Sequence, residues 1–249
     1  MNKPQQKPEV RTPSLSFVDY LEANLREAPP RQKGARTRER LKIATAKMLD
    51  AKGYHAMRVV DITESAGVAE GSFYVYFTDK KDATLTALSA FIIEFVDLVA
   101  PPEAVHTSFE SIRAANRRWF ALCRANAGLF RCIYQLGDED ADFASLVQRV
   151  TRQWYLRVTH NVRLDRRGAD GTAILLAIYF MGSMMDEIKR KLIIFPDQEF
   201  HKLLRSLDAD DDAIADAASL IWMRIFDSNI KLPDDLPPAA AQLARLIWP

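Results

Sequence analysis

Cysteine is nearly missing from this chain of 249 residues. Its two thiols, Cys123 and Cys132, form neither a C-x-x-C pair nor a framework of bridges, which excludes a disulfide scaffold and favours packed, reduced side chains. Histidine is equally sparse. His55, His106, His160 and His201 lie far apart, with no pair at the spacing of a metal site, so no metal is expected. Long apolar runs are lacking as well. The most apolar stretch, Ala173 to Met185, stops at Asp186-Glu187, well short of the roughly 20 residues that span a bilayer, and reads as a buried helix with no membrane partner. The opening MNKPQQKPEVRTP has no apolar signal-peptide core, so the cytoplasm is the expected compartment.

Several kinds of chemistry are missing too. There is no nucleophile elbow, phosphate loop or persuasive acid/base pair, which disfavours an enzyme and leaves no cofactor to expect. The acidic runs Asp138-Glu139-Asp140 and Asp208 to Asp212 lack the central Gly and distal Glu of a calcium loop. Both precede expected helices, where carboxylates favour the positive end of the helix dipole.

What is present is helical. No segment alternates with period two, no internal repeat emerges, and 48% hydrophobic content allows a substantial core, so the fold class is all-α. Residues 1–13 form a polar, proline-bearing tail. Leu15, Phe17, Val18, Leu21 and Leu25 then recur at helical intervals until Pro29-Pro30. This short helix packs on the body, acts as a regulatory arm or stays loose, and the residues leave all three open. From Thr37 a stripe of Leu41, Ala44, Thr45, Met48 and Leu49 marks a helix, with Thr37 as its cap and Gly53 as a left-handed stop. Longer helices are expected over about 80–99, 107–125, 127–135, 140–164, 171–194 and 210–229. Breaks fall at Pro101-Pro102, Gly137-Asp138, Arg167-Gly168 and Pro196-Asp197.

The net charge of +1 hides an uneven distribution. Residues 31–81 hold eleven Lys/Arg against six Asp/Glu, a local charge of +5, whereas residues 82–249 hold nineteen against twenty-three, or −4. A short basic module on an acidic body suits a nucleic-acid partner. Five of the ten residues from Arg31 to Arg40 are basic, an arm that would follow phosphates or enter a minor groove; a solvated linker is the alternative.

Residues 59–77, VVDITESAGVAEGSFYVYF, fit a helix-turn-helix. Ile62, Ala66, Val68, Phe73 and Phe77 supply an apolar side, Gly67 a turn at positive φ, and Glu70, Ser72, Tyr74, Val75 and Tyr76 look outward. A core helical hairpin with no DNA role fits this pattern equally well. The spacing of Gly53-Tyr54, Val59, Asp61, Ile62, Ala66, Gly67, Val68, Gly71, Ser72, Phe73, Tyr74, Tyr76, Phe77, Lys80 and Leu85 adds more. Over this stretch the chain resembles the N-terminal DNA-binding domain of the TetR family.

That resemblance implies an N-terminal three-helix helix-turn-helix DNA-binding domain joined to a larger helical ligand-binding and dimerisation domain. The segments would be 1–35, an extension with the amphipathic helix and basic arm; 36–81, the DNA-binding domain; 82–230, the effector-binding and dimerisation domain; and 231–249, a tail. Glu70, Gly71, Ser72 and Tyr74 fall where family members meet base edges, which a carboxylate, hydroxyl and phenol suit. Arg36, Thr37, Arg38, Arg58, Tyr76 and Lys80 would hold phosphates. Two positions depart from the pattern: Met57-Arg58 stands where a capping Thr or Ser is common, and Thr63 where Ala is usual. Asp61 is expected to interact with the helix N-terminus in place of the cap.

In the body, the resemblance implies a dimer built by the last two long helices, with Ala173, Leu176, Ala177, Phe180, Met181 and Met184 on one and Ala217, Leu220, Ile221, Arg224 and Ile225 on the other. Ala and Gly182 would permit close approach, and two-fold symmetry implies a palindromic double-stranded DNA operator. Phe91, Phe95, Trp119, Phe120, Cys123, Phe130, Tyr134, Trp154, Tyr155 and Tyr179 would line a pocket for an apolar or aromatic small-molecule effector, ordinary core being the alternative. Arg117, Arg118, Arg124 and Arg152 are candidate partners for an acidic one. The functional expectation is a homodimeric DNA-binding regulator, a repressor released by its effector; a regulator governed by a protein partner instead is the rival reading.

Overall fold

The computed structural model describes residues 14–99, 108–165, 170–226 and 234–247. Among them every regular element is helical. The tail 1–13 and the breaks at Pro101-Pro102 and Arg167-Gly168 lie outside the described residues.

The head is built on α2 (Lys33–Lys52), α3 (Val59–Ala66), α4 (Glu70–Phe73) and the start of α5 (Lys80–Ala90). Leu41, Leu49, Met57, Ile62 and Phe73 are fully buried and knit these elements together. Helix α2 begins a turn earlier than Thr37, because the basic arm itself continues as helix. Thr37 is therefore no cap: its Oγ1 donates to the Lys33 carbonyl at 3.2 Å. Gly53 does end α2 at positive φ (78°), a conformation that excludes most side chains.

Helix α1 (Phe17–Glu27) is capped by Ser16 and docks across the junction of head and body. Phe17 is fully buried, with its ring 5.3 Å from those of Phe91 and Phe95. Its N–H donates to Asn126 Oδ1 at 2.8 Å, while Asn126 Nδ2 donates to the Leu15 and Leu122 carbonyls, so the buried amide is satisfied on both sides. Glu22 pairs with Lys47 of α2. Of the three placements the sequence left open, the docked one is observed.

The body comprises a π-helical turn (Phe91–Phe95), α6 (Val96–Val99), α7 (Phe109–Ala125), α8 (Ala127–Glu139), α9 (Ala141–Asp165), α10 (Gly171–Lys189), a second π-helical turn (Arg190–Ile194), α11 (Gln198–Ser206), α12 (Asp211–Phe226) and α13 (Pro238–Ile247). Helix α8 runs through the expected break at Gly137 and stops at Asp140, whose carboxylate accepts the Phe143 N–H at 2.8 Å and starts α9. Asp210 does the same for α12 through Ala213 N, so both acidic runs serve helix starts. Helices α11 and α13 were not anticipated. The second makes the expected tail part of the fold: Pro238 occupies its first turn and Ala240 is fully buried, with α13 packed on α12. Across α7 and α12, the fully buried Asp216 receives Arg113 Nε at 3.0 Å and Arg117 Nη2 at 2.6 Å, and Arg113 reaches on to Asp235 at 2.8 Å.

Cys123 and Cys132 are both buried and unbridged. Burial pushes their thiols up to about 12 and about 11, which makes them unreactive packing groups.

Candidate nucleic-acid interface

The helix-turn-helix is assembled from several local devices. Helix α3 lacks a side-chain cap at Arg58, and Asp61 compensates: its carboxylate accepts the Arg58 N–H and the Lys52 ammonium, each at 2.8 Å. These donors, Lys52 first, hold the Asp61 carboxyl down to about 2. Thr63 keeps its buried hydroxyl satisfied by donating to the Val59 and Val60 carbonyls, so it fits where Ala is usual. Gly67 closes α3 in the left-handed region (φ 63°, ψ 45°), and Val68 N donates back to the Thr63 carbonyl at 3.0 Å.

Arg40 braces this turn, which sequence reasoning missed. Its Nη2 donates to the carbonyls of Ala66 and Gly67, the exposed end of α3, and a Cβ on Gly67 would stand 3.0 Å from that nitrogen. The signal available was only a cation seven residues into a helix, with nothing to say which distant carbonyls it would reach.

The recognition element is short. One helical turn, Glu70–Phe73, continues as a turn through Tyr74 to Tyr76, tied by Tyr76 N and Phe77 N to the Phe73 carbonyl. Phe73 and Phe77 are buried, as expected, and fix its inner side. Glu70 and Gly71 are exposed, Tyr74 is 57% exposed and Val75 74%, whereas Ser72 and Tyr76 are half-buried. No side chain crowds Gly71, so its face is open for close approach.

The expected phosphate ligands separate into two groups. Arg58 is exposed beside Asp61. Tyr76 carries its phenol to the start of α2, 3.5 Å from where a Cβ on Gly34 would lie. Arg38 stands over the Phe77 ring at 5.4 Å. Arg36 and Lys80 are turned onto the protein: Arg36 Nη1 donates to the Pro30 and Arg31 carbonyls, and Lys80 Nζ donates to those of Tyr54 and Met57 at 3.0 and 3.1 Å. Lys80 thus closes the loop between α2 and α3, with the Tyr54 ring 4.5 Å beneath it.

Most of the ten expected pocket residues fall in two packed clusters. Phe95, Trp119 and Phe130 join Phe17 and Phe91, while Trp154, Tyr155 and Tyr179 stack separately, with Tyr155 and Tyr179 at 4.8 Å. Phe120 and Cys123 are core, and Tyr134 pairs with Phe195 at 6.2 Å. Two open clefts, of about 530 and 440 Å³, lie elsewhere: one between α1, α2 and α3, the other at Arg117, Arg124, Asp211 and Asp212. Arg117 and Arg124, which line the second cleft, are engaged by aspartates, at 2.6 Å to Asp216 and 2.7 Å to Asp211.

On α10, Ala173, Leu176 and Phe180 are exposed, the last two by 55% and 68%, with Ala177 and Met184 half-buried beside them. On α12, Ile225 is 48% exposed and Ala217 and Ile221 half-buried. Leu220 and Met181 belong to the core instead. Helix α12 lies between α7 and α13, which widens its buried arc to include Leu220. Gly182 faces inward as well: a Cβ there would collide with the Tyr155 phenol of the same chain.

Comparison with known proteins agrees with this geometry. Residues 43–83 match the family model of bacterial regulatory proteins of the tetR family. No curated protein matches the chain. A TetR-family transcriptional regulator from Mesorhizobium loti shares the fold over 78% of this chain and 98% of its own, at 15% identity and a TM-score of 0.57. The fatty acid degradation regulator FadR from Bacillus halodurans does so over 74% and 93%, at 19% and 0.53. The transcriptional regulator FadR from Bacillus subtilis, in complex with stearoyl-CoA, covers 77% and 98%, at 16% and 0.51. These identities establish likeness of fold alone, and the family match covers the head, residues 43–83. Residues 43–83 are therefore a helix-turn-helix head of the tetR type, carried on an all-α body that shares the fold of solved transcriptional regulators.

Proposed function

We propose that the chain is a homodimeric repressor that reads a palindromic operator and is released by a small effector. The observation that carries this reading is the recognition turn. Glu70, Gly71 and Tyr74 stand outward from an element whose inner side, Phe73 and Phe77, is locked into the head. Base edges call for polar groups on a rigid support, and this turn supplies both. Tyr76, Arg38 and Arg58 flank it as phosphate contacts that would set register without reading sequence. For dimerisation, the support is the exposed apolar face formed by Leu176, Phe180 and Ile225, which water disfavours and a second copy would cover.

Effector release draws on a neighbour of the same fold that holds an acyl-CoA. A second reading, control by a protein partner without a small effector, is favoured by the closed packing of the body aromatics around Phe91 and Phe130. Selection of bound genomic fragments by the purified full chain tests the DNA reading. Inverted half-sites should be enriched, and Tyr74→Phe should change which fragments win without unfolding the protein. Enrichment no greater than for random fragments by a folded protein overturns it.

A further inference from the structure

The body contains a buried cation enclosed by aromatic rings. Lys189, at the last turn of α10, is 5% exposed. Its Nζ lies 5.4 Å from the Trp119 ring, 5.0 Å from Phe130 and 5.3 Å from Tyr134, so three aromatic rings from two other helices enclose it. Its sole hydrogen bond among the described residues goes to Asp186 Oδ1 at 2.7 Å. An ammonium carries three N–H donors. Burial works against its charge, and Asp186 together with Cys123 and Tyr134 offsets that cost and holds the amine above its ordinary range.

Asp186 is itself about half exposed at the side chain, 47% against 6% for Lys189. The resident counterion therefore stands at the solvent side of the cage, where an incoming anion would exchange with it. Of the arginines expected as partners for an acid, Arg117 is held by Asp216 and Arg124 by Asp211. Both π-helical turns converge on the cage. Phe91 of the first packs edge-on against Phe130 at 5.1 Å, and the second begins at Arg190, directly after Lys189. Such turns insert a residue into the helical register, a feature frequent at functional sites.

We propose that Lys189 is the anchor for the carboxylate of an apolar carboxylic acid, which displaces Asp186 while its apolar body rests against Trp119, Phe130 and Tyr134. This proposal rests on the effector-release reading and names the chemical class of the effector. A charge-assisted bond formed in an aromatic enclosure favours an acid over the same molecule without charge.

The test uses the full chain with two acids, decanoate and 2-naphthoate, each beside its methyl ester. Tryptophan fluorescence, to which Trp119 contributes beside Trp154, Trp222 and Trp248, reports binding, and thermal unfolding reports it by a second route. The wild-type protein should bind an acid at least tenfold more tightly than its ester. Lys189→Met, which keeps length and apolar volume, should abolish that preference. Asp186→Asn removes the resident carboxylate, so it should lower the unfolding midpoint, and added acid but not ester should restore it. An ion pair serving only packing would show no such rescue. Equal binding of acid and ester, persistence of the preference in Lys189→Met, or no saturable binding of either acid overturns the proposal. Release of the operator complex by a small-molecule extract of the cells that make the protein is scored separately. Release by the extract when neither acid is preferred over its ester, or release by an ester alone, leaves effector control standing while the carboxylate anchor falls.

Discussion

Replacing Gly128 with Ala should destabilise the protein, although in a helix this exchange ordinarily stabilises by up to about 1 kcal/mol. Gly128 lies in the first turn of α8, against the last turns of α2. A Cβ there would stand 2.0 Å from the Asp50 carbonyl oxygen and 2.5 Å from its Cα. These are backbone atoms, so no rotamer change relieves the overlap, and the helices must part by roughly 1 Å in a close-packed region. Parting them also stretches the 3.0 Å bond from Gly128 N–H to Asp50 Oδ1, leaving a partly buried carboxylate short of a donor. Overpacking of this kind costs about 1–3 kcal/mol. Against a smaller propensity gain, the net loss is about 1–2 kcal/mol, or roughly 2–8 °C in Tm for a chain of this size. Gly137→Ala, in the same helix with nothing within 4 Å of the added carbon, is the control and should be neutral to stabilising. Thermal and urea unfolding by circular dichroism measure both. A Gly128→Ala protein as stable as the Gly137→Ala one would refute the close approach of α2 and α8.

Phe17→Ala empties a fully buried site beside Phe91 and Phe95 and should cost about 3–5 kcal/mol in urea unfolding; an unchanged midpoint would mean that α1 is not docked in solution. Asp61, with its carboxyl held down to about 2, contributes stability that is fully present above the ordinary carboxylate range, near 3.8, and is lost as pH falls through about 2. Asp61→Asn should weaken the protein at neutral pH and remove this acid-side dependence, as pH-resolved unfolding would reveal. Phe180→Glu places charge on the exposed α10 face and should convert the proposed dimer to monomer in sedimentation velocity while leaving Tm little changed, since Phe180 is 68% exposed.

The helix-turn-helix was legible because its determinants are local. Gly67 at positive φ, the apolar spacing of Ile62, Phe73 and Phe77, and Asp61 three residues after Arg58 all act within one or two turns, where sequence spacing is spatial spacing. Contacts made by long side chains were not legible. Nothing near Lys80 or Arg40 in sequence announces that they reach carbonyls 23 and 26 residues away, so Lys80 read as a phosphate ligand and Arg40 as part of a basic arm. Periodicity placed α10 and α12 correctly but not the sides they bury. Leu220 is buried on a helix packed between α7 and α13, Gly182 faces Tyr155, and residues 231–249, expected as a tail, include α13 from Pro238. The aromatic body residues were identified by type, and only three dimensions show that three of them surround Lys189.

Helix α8 connects the proposed anchor to the DNA-binding head. Its Phe130 and Tyr134 form two walls of the Lys189 cage, and its Gly128 and Cys132 touch Asp50 and Leu49 at the end of α2. Lys81 to Asp140 at 2.7 Å and His55 to Glu139 at 3.1 Å fasten the far end of α8 to the same head. Helix α2 in turn carries Arg38 and Arg40, which support Phe77 and the turn after α3. A ligand that shifts Phe130 and Tyr134 therefore moves α8 against a contact too tight to slide, and α2 must follow. Proximity alone does not establish coupling, which is a reciprocal free energy: an effector that weakens operator binding by some factor must itself be bound that much more weakly by the operator complex. Gly128→Ala loosens the joint without touching the cage. It should leave acid binding to the free protein within about twofold while shrinking both reciprocal factors together toward one, a change of about 1–3 kcal/mol if coupling is of ordinary size. Unchanged factors in a Gly128→Ala protein whose stability has fallen would send the signal through another contact, and α1, held by both Asn126 and Lys47, is the next to cut.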